Sequence, residues 1–303
     1  MTTAGPLMWI TGAAGFIGSH IARRARAEGF RTVEMGRGAK DYDTALDGPM
    51  MMRALRDHGV PDVVVHAAGP GSVGRAEAEP KRTWIDIVGA SMKLRTFLER
   101  HAPRAWVIYT SSCAVYGGLD APHREDALLL PVSHYGRFKL QSEKILLTSS
   151  LPVVCLRLFP VYGRGLRARL PWDLGRKLLH AKHDRWNLNL DGTGQEQRDF
   201  VHVDDVADAV MRLSTDAFPT GLVCNIGTGT TTTVAEFARL MRKLMAVPTP
   251  LVFTGRARPV DPFAYVADTA LQRAHGLEAS VSLPDGLTDY VRWLTAVTGP
   301  HSG

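Results

Sequence analysis

The chain alternates short apolar runs with amphipathic stretches of helical period. Six runs are apolar instead of alternating between apolar and polar residues, which is typical of parallel strands covered on both faces. These predicted strands occupy residues 7–11, 31–35, 62–67, 106–110, 152–159 and 222–226. Predicted helices occupy residues 17–28, 80–100, 135–148, 204–213 and 234–245. The alternation predicts an α/β fold with a doubly wound parallel sheet.

A change of sequence texture after residue 160 predicts a second, smaller unit. Residues 160–197 are rich in Arg, Gly and Leu without a clear alternation, and residues 227–303 mix short helices with proline-bearing loops. We therefore expect a main domain built from residues 1–160 and 198–226. Residues 161–197 and 227–303 would form a smaller C-terminal substrate-binding lobe.

Composition and charge narrow the class of protein. Apolar residues make up 45% and charged residues 22% of the chain, which fits a globular protein and excludes a disordered one. The 36 basic and 30 acidic residues leave a net charge of +6. This excess is too small to indicate nucleic-acid binding, but it suits acidic ligands such as diphosphates.

Cysteine spacing and hydropathy bear on location and metal binding. Three widely spaced cysteines, an odd number, argue against a disulfide framework and for a reducing compartment. No CxxC or HExxH spacing occurs, so we expect no metal site. No apolar run is long enough for a membrane span, and the N-terminus lacks a signal-peptide pattern, so we expect a cytoplasmic protein.

The first predicted strand runs into the glycine-rich sequence ITGAAGFIGS, and a predicted helix follows it. Gly12, Gly15 and Gly18 allow a sharp turn and a close approach to a pyrophosphate. With Phe16 and Ile17 they form a candidate cofactor-binding loop at the helix N-terminus. The spacing is GxxGxxG, and the alternative is a tight turn that binds no ligand.

The end of the second predicted strand, VEMGRG, bears on the choice of cofactor. An NAD site usually has an acid there for the adenosine ribose, but Gly36 occupies this position and Arg37 follows it. A guanidinium can bind a 2′-phosphate bidentately, so Arg37 favours NADP. Two alternatives stay open: Arg37 is a solvated loop residue, or Glu34 is the ribose acid and NAD is the cofactor.

A tyrosine and a lysine share one face of the predicted helix 135–148, in the sequence YGRFK. An ammonium near a phenol lowers the phenol pKa, so Lys139 would prepare Tyr135 to transfer a proton. Upstream, YTSSCAVYGG follows the fourth predicted strand, where doubly wound sheets bind ligands. Ser111 or Ser112 could hold the reacting oxygen there, although ordinary turn hydrogen bonding is the alternative.

Seven motifs together resemble the extended short-chain dehydrogenase/reductase family, in its nucleotide-sugar epimerase, dehydratase and reductase branch. They are TGAAGFIGSH, HAAG, YTSSCAVYG, YGRFK, LRLFPVYGRG, GQEQRDFVHVDDVADA and NIGTG, and they cover nearly the whole chain in order. The resemblance implies a dinucleotide-binding Rossmann domain, bound NAD or NADP, and a C-terminal lobe that holds a nucleoside-diphosphate sugar. It also implies a homodimer formed through two long helices.

The resemblance assigns roles to matching residues. It implies that Ser112, Tyr135 and Lys139 are catalytic. Ala67, Ala68 and Gly69 match the segment under the cofactor, and Arg198 and Arg258 match two arginines that bind the substrate diphosphate. Ser72 and Arg169 are further candidates for substrate binding, with Arg169 standing where the family often has histidine or asparagine.

Departures from the family pattern narrow the expected chemistry. Sugar 4,6-dehydratases usually carry an Asp-Glu pair after the catalytic Ser or Thr, but here Cys113 and Ala114 stand there, so we do not expect a 4,6-dehydratase. We expect Cys113 to be a small buried residue. Asp86 and Pro160 stand where family members often have Asn, which points to an unusual ligand.

These observations favour an NADPH-dependent 4-ketoreductase that acts on a nucleoside-diphosphate sugar. Arg37 and the missing dehydratase pair favour it. The close alternative is a 4-epimerase that retains NAD, because it oxidises and re-reduces the same sugar carbon. A non-catalytic NADP-binding sensor is a third interpretation, disfavoured because Tyr135 and Lys139 are both present.

Overall fold

A computed structural model describes residues 5–118, 120–181, 187–256 and 262–298. Strands within these ranges are, in chain order, β1 Leu7–Thr11, β2 Arg31–Met35, β3 Val63–His66, β4 Trp106–Ser112, β5 Val153–Leu158, β6 Val161–Tyr162, β7 Leu188–Leu190, β8 Gln197–Arg198, β9 Val201–His202, β10 Val223–Ile226, β11 Thr232–Thr233, β12 Leu251–Phe253 and β13 Ala264–Tyr265. Most of the short strands from β6 onwards lie in small separate sheets.

The helices complete the alternation. They are α1 Phe16–Ala27, α2 Gly48–His58, α3 Val73–Ala78, α4 Pro80–Trp84, α5 Ala90–His101, α6 His134–Leu147, α7 Arg169–Ala181, α8 Val203–Thr215, α9 Val234–Leu244, α10 Ala270–Ala274 and α11 Leu283–Thr298. A π-helical turn, Ile85–Gly89, joins α4 to α5, and a 3₁₀ turn, Cys113–Val115, follows β4. No helix of the described ranges is both long and apolar enough to cross a membrane.

The main sheet has six parallel strands in the order β10–β5–β4–β3–β1–β2. The chain leaves β1 for β2 on one side and continues with β3, β4, β5 and β10 on the other. The strand order therefore reverses beside β1. In sheets of this kind the ligand crevice lies beyond the carboxyl ends of the strands at that reversal.

Both faces of the sheet are buried, which explains the apolar strand sequences. Trp9 and Tyr109 pack on the face covered by α2 and α5, and Ile10 and Ile108 pack on the face covered by α1 and α8. All four side chains are fully buried. The predicted α/β fold and its six predicted sheet strands are confirmed, each strand end within two residues.

The long helix predicted over residues 80–100 is interrupted in the structure. The π turn separates α4 from α5 where the loop after β3 approaches it: a Cβ added to Gly69 would lie 2.9 Å from Ile87 Cγ1. Single π turns inside helices often occur at functional sites. The spacing of apolar residues in the sequence does not indicate this interruption.

Helices that the sequence did not predict build the smaller lobe. The stretch 160–197 contains α7, and the last residues form the sixteen-residue α11 instead of only short helices. In α7 the apolar period is weakened by Gly175, which is required because an added Cβ would lie 2.4 Å from Leu294 Cδ2 on α11. These helices and α9 enclose a separate apolar cluster around Phe237 and Tyr290. The domain boundaries at residues 160, 198 and 226 stay a prediction.

Candidate active site

Glycines at the end of β1 bring three strand ends into contact. Gly12 has φ 74°, its amide donates to the Met35 carbonyl at 2.7 Å, and an added Cβ would lie 2.5 Å from the Ala67 carbonyl oxygen. An added Cβ on Gly18 would lie 2.2 Å from the Gly12 carbonyl oxygen. Side chains are excluded at both positions, so the backbone itself lines this part of the crevice.

Helix α1 begins directly behind this loop. Gly15 is its N-cap residue in extended conformation, and Phe16 and Ile17 are its first helical residues. No side chain caps this N-terminus. Free amide groups at the start of a helix favour an anion, and the glycines leave room for its close approach. The loop therefore fits the pyrophosphate of a dinucleotide.

The segment after β3 forms the opposite wall of the crevice. Ala67 donates its amide to the Thr11 carbonyl at 3.1 Å, which holds the start of Ala67, Ala68 and Gly69 against β1. Gly69 has φ 112° and lies against the π turn, where an added Cβ would be 3.3 Å from the Asp86 carbonyl oxygen. The structure thus brings this predicted cofactor segment against the glycine loop.

The end of β2 carries a glycine and an arginine at the crevice. Gly36 has φ 127°, and an added Cβ would lie 3.3 Å from the Gly12 amide nitrogen, so an acidic side chain is disfavoured there. Arg37 follows, and its Nη2 donates to Asp86 Oδ2 at 3.0 Å. The guanidinium therefore reaches from β2 to the π turn.

Glu34, the alternative ribose acid, is engaged elsewhere. It is buried, and its carboxylate accepts a hydrogen bond from Arg26 on α1. Its backbone amide donates to Asp41 Oδ2 at 2.8 Å. The described residues thus leave Glu34 turned toward α1, and Arg37 is the charged side chain that β2 contributes to the crevice.

Ser112 and Tyr135 are brought together by the packing of α6 against the turn after β4. Ser112 ends β4, and its Oγ accepts from the Ala114 amide at 3.2 Å. Tyr135 lies in the first turn of α6, which Ser133 caps by accepting from the Gly136 amide at 3.1 Å. An added Cβ on Gly136 would lie 2.3 Å from the Ala114 carbonyl oxygen, so only glycine allows this approach.

Burial sets the pKa values of the two candidate catalytic groups. It lowers the pKa of Lys139 to about 8, against the opposing charge of Glu143. Burial also raises the pKa of Tyr135, and the charge of Arg169 and a hydrogen bond with Ser112 act in the opposite direction. The phenol is therefore a weaker acid here than in water.

The sequence predicts that Lys139 lowers the pKa of the Tyr135 phenol, and the structure corrects this. Lys139 Nζ donates to the Thr110 carbonyl at 2.8 Å and lies 5.9 Å from the centre of the Tyr135 ring. The cation that lowers the phenol pKa is Arg169. The cause is that α6 buries Lys139 against β4, where the Thr110 carbonyl oxygen accepts a hydrogen bond from the ammonium group.

A buried ion pair that sequence reasoning missed supports α6 from behind. Arg157 on β5 contacts Glu143 twice, with Nη2–Oε2 at 3.0 Å and Nε–Oε1 at 3.2 Å. Ser111 Oγ donates to Glu143 Oε1 at 2.5 Å, so Ser111 faces this pair and Ser112 faces Tyr135. The sequence indicates only that Glu143, four residues after Lys139, lies on the same face of the helix as Lys139.

Residues of the smaller lobe reach the same crevice. Arg169 begins α7 with φ 64°, and its guanidinium donates to the Gly71 carbonyl oxygen in the loop after β3. An added Cβ on Gly71 would lie 2.7 Å from Arg169 Nη2, so glycine makes room for the guanidinium. Arg169 thus connects the start of α7 to the loop after β3.

The other predicted substrate residues have varied surroundings. Arg198 is mostly buried, donates to the carbonyls of Gln197 at 2.7 Å and Phe263 at 3.1 Å, and lies over the Tyr265 ring. Ser72 caps α3 by accepting from the Arg75 amide at 3.2 Å, so it has a structural task. Arg258 lies outside the described residues.

Cysteine and metal chemistry add little to this site. Cys113 is buried as expected, and burial raises the pKa of its thiol to about 12. In the described parts of the chain, no three His, Cys, Asp or Glu side chains are grouped as metal ligands would be.

Comparison with known proteins identifies the family. Residues 8–227 match the model of the NAD dependent epimerase/dehydratase family. The chain is 30% identical to a UDP-glucose 4-epimerase of Azospirillum brasilense, over 88% of this chain and 85% of that one. It is 26% identical to a probable UDP-arabinose 4-epimerase of Arabidopsis thaliana, over 96% of this chain and 81% of that one.

Solved structures agree with this relationship. The UDP-glucose 4-epimerase of Thermotoga maritima, crystallised with UDP-glucose, superimposes with a TM-score of 0.86 at 26% identity, over 96% of this chain and 99% of that one. MoeE5, in complex with UDP-glucuronic acid and NAD, superimposes with a TM-score of 0.85 at 29% identity, over the same shares. The chain therefore belongs to the NAD-dependent epimerase/dehydratase family, within the extended short-chain dehydrogenases/reductases.

Proposed function

We propose that this enzyme reduces the C4 keto group of a nucleoside-diphosphate sugar with NADPH. The observation that carries the proposal is the conformation of the chain at the end of β2. Gly36 has φ 127°, a Cβ added to it would lie 3.3 Å from the Gly12 amide nitrogen, and Arg37 follows it. A carboxylate for the ribose hydroxyls is absent from this position, and a guanidinium suited to a 2′-phosphate is next to it. NADPH serves net reduction.

The cofactor would occupy the glycine-lined crevice, and when bound its nicotinamide supplies the hydride. Tyr135 would then give its proton to the sugar oxygen, while the Ser112 hydroxyl holds that oxygen in place. Lys139, fixed by the Thr110 carbonyl, would place a positive charge beneath the nicotinamide ribose. Arg169 and Arg198 would bind the sugar diphosphate from the smaller lobe, with Arg258 as an expected third.

The turn after β4 supports reduction or epimerisation over dehydration. Removal of water from the sugar needs an acid and a base beside the hydride-transfer site. Ala114 has no such group, and burial raises the pKa of the Cys113 thiol to about 12. The Cys113 thiol therefore stays protonated at neutral pH and Ala114 has no ionisable group, so neither residue supplies the base that a dehydration needs.

A 4-epimerase is the second candidate, and it is favoured by the relatives. UDP-glucose and UDP-arabinose 4-epimerases are among them, at 30% and 26% identity. The same Ser112, Tyr135 and Lys139 would serve, because an epimerase removes a hydride from C4 and returns it to the other face. Such an enzyme keeps its cofactor through the cycle, whereas a reductase exchanges it.

A homodimer is the expected assembly. The region α4–α5 exposes three large apolar side chains: Trp84 at 36%, Ile85 at 52% and Met92 at 47%. Pairing of these helices with a second copy would cover them.

Native mass spectrometry and ultraviolet absorbance of the purified protein test the proposal. An empty site that binds NADPH and oxidises it with a nucleotide 4-keto sugar supports the reductase. Tightly retained NAD, with interconversion of UDP-glucose and UDP-galactose, would replace it by the epimerase. NADPH binding without turnover on either class of sugar would favour the sensor, and the Tyr135→Phe variant serves as the inactive control.

A further inference from the structure

Three arginines converge on one carboxylate oxygen at the adenosine side of the crevice. Asp86 Oδ2 lies 3.0 Å from Arg37 Nη2, 3.7 Å from Arg75 Nη2 and 3.6 Å from Arg82 Nε. Arg75 also approaches Glu79 Oε2 at 3.7 Å. The arginines come from the loop after β2, from α3 and from α4, so the sequence does not group them.

This cluster carries an excess of positive charge. The Asp86 side chain is only 11% exposed, whereas those of Arg37, Arg75 and Arg82 are 51%, 43% and 59% exposed. Asp86 and Glu79 together supply two negative charges against three guanidinium groups, and two of the three contacts with Asp86 are longer than a hydrogen bond. The contacts of Arg75 and Arg82 are long and all three guanidinium groups reach solvent, so a better anion could bind the arginines.

The bridge from Arg37 to Asp86 crosses the dinucleotide crevice. On one side, Gly36 lies against Gly12, and an added Cβ on Gly38 would be 3.4 Å from Ala14 Cβ. Arg37 therefore borders the phosphate-binding loop. On the other side, the Asp86 backbone borders Gly69, as described above. The ion pair spans the carboxyl ends of β1, β2 and β3, where the adenosine half of a dinucleotide is bound in this fold.

We propose that Arg37, Arg75 and Arg82 form a site for the 2′-phosphate of an adenine dinucleotide, and that the Asp86 carboxylate competes with this phosphate for the three guanidinium groups. This inference rests on the proposed use of NADPH and extends it to residues outside the β2 loop. The 2′-phosphate is a dianion and receives bidentate hydrogen bonds from guanidinium groups. NAD lacks this phosphate, so it gains nothing from the three guanidinium groups.

Cofactor affinities of single variants test the proposal without any sugar substrate. Arg75→Gln and Arg82→Gln should each weaken NADPH binding about three- to tenfold, and Arg37→Gln more, while NADH binding stays unchanged. Arg82→Lys, which keeps the charge, should fall between. Asp86→Asn should tighten NADPH binding, because the internal competitor for the arginines is gone. Arg292→Gln, an exposed arginine on α11 paired with Asp289, is the matched control and should alter neither cofactor.

Binding of small nucleotides separates the two phosphates of the cofactor. The variants should lose affinity for 2′,5′-ADP but not for ADP, which carries only the pyrophosphate. Equal losses for NADPH and NADH, or for both nucleotides, would assign the arginines to the pyrophosphate and overturn the proposal. Unchanged binding in Arg75→Gln and Arg82→Gln, or weaker NADPH binding in Asp86→Asn, would also overturn it.

Turnover distinguishes this proposal from the proposed activity. Selective loss of NADPH binding in a protein that reduces no keto sugar would support the phosphate site and count against the reductase. Keto-sugar reduction with NADH and NADPH alike, unaffected by the three arginine variants, would do the reverse. Circular dichroism and the thermal midpoint of each variant show whether it has folded.

Discussion

The ionisable groups are buried at one end of the crevice and half-exposed at the other. At the proposed catalytic end, Tyr135 and Lys139 are 8% and 5% exposed. Burial raises the pKa of Tyr135 and lowers that of Lys139, which favours the neutral form of each. At the adenosine end, Arg37, Arg75 and Arg82 are half-exposed and share one carboxylate. Buried groups depend on their immediate surroundings, whereas exposed arginines exchange one anion for another.

This difference separates what each end can control. The catalytic end can tune proton transfer, because a small change in burial or in a neighbouring charge moves a pKa. The adenosine end can tune the choice of ligand, because arginine stays charged at any physiological pH. Variants at the catalytic end should therefore change rates and pH dependence, and variants at the adenosine end should change cofactor affinity and its dependence on salt.

The largest effect is expected from Tyr135→Phe. Loss of the phenol hydroxyl removes the proposed proton donor, so kcat should fall by about 10²- to 10⁴-fold. Affinity for NADPH should not change, since the hydroxyl is not part of the adenosine end. Steady-state rates with a nucleotide 4-keto sugar and fluorescence titration with NADPH measure the two quantities. A variant that retains the rate of the parent enzyme would remove Tyr135 from the chemistry.

The next effect concerns the stability of the catalytic end. Arg157→Met leaves Glu143 buried without its partner and should lower the free energy of unfolding by about 3–5 kcal/mol. Urea denaturation of the cofactor-free protein measures this. Arg124→Met is the control: Arg124 is exposed and paired with the exposed Asp126, so its loss should have a small effect. Equal destabilisation in both variants would show that the buried pair has no special weight.

The sequence predicted the sheet well because each strand contributes apolar side chains to both faces. An uninterrupted apolar run such as residues 63–65, Val-Val-Val, is typical of a parallel strand that is buried on both faces. Helices of the smaller lobe were harder to predict. In α7 the buried Gly175 faces Leu294 on α11, and as a residue without a side chain it weakens the helical period of apolar residues.

Motif spacing placed the catalytic residues in the sequence but not their partners. Tyr135 and Lys139 were found from a local pattern, whereas Ser112 was chosen over Ser111 by the family resemblance. Helix α6 packs on the turn that carries Ser112. That Lys139 binds the Thr110 carbonyl depends on burial depth, which no local pattern encodes. The three arginines around Asp86 come from three separate elements, so only the fold brings them together.

A third effect follows from the buried amine. Burial lowers the pKa of Lys139 from 10.5 to about 8, so between these values the unfolded chain binds more protons than the folded one. Stability therefore rises with pH across this window and is lost as pH falls through about 8. The variant Lys139→Met lacks this dependence. Its stability relative to the parent should be roughly 3 kcal/mol more favourable at pH 7 than above pH 10.5, where Lys139 is neutral in both the folded and the unfolded chain.

Urea denaturation of the cofactor-free proteins at pH 7, 8.5 and 10 provides the comparison. Taking the difference between the parent and Lys139→Met cancels titrations that both proteins share. Lys144→Met, at an α6 position that the structure leaves exposed, is the control and should show no such pH dependence relative to the parent. A stability difference that is the same at all three pH values would contradict a lowered pKa for Lys139.

The smallest effect is a shift of a pH profile, expected from Arg169→Gln, and it asks whether Tyr135 and Lys139 depend on the charge of Arg169. Loss of the proposed diphosphate contact would lower the height of this profile without moving it along the pH axis. Burial raises the pKa of Tyr135, and the charge of Arg169 opposes this rise. Burial lowers the pKa of Lys139, and the charge of Arg169 lowers it further. Removing the charge should raise both pKa values.

In the reductive direction Tyr135 must be protonated, so activity is lost as pH rises, and this loss should move to higher pH in the variant. The shift should be less than about one pH unit, because the guanidinium is exposed to water. The pH dependence of kcat/KM reports it for the free enzyme, with Arg169→Lys expected to stay close to the parent. If the Lys and Gln variants shifted equally, the contact with the Gly71 carbonyl, and not the charge, would be what Arg169 contributes.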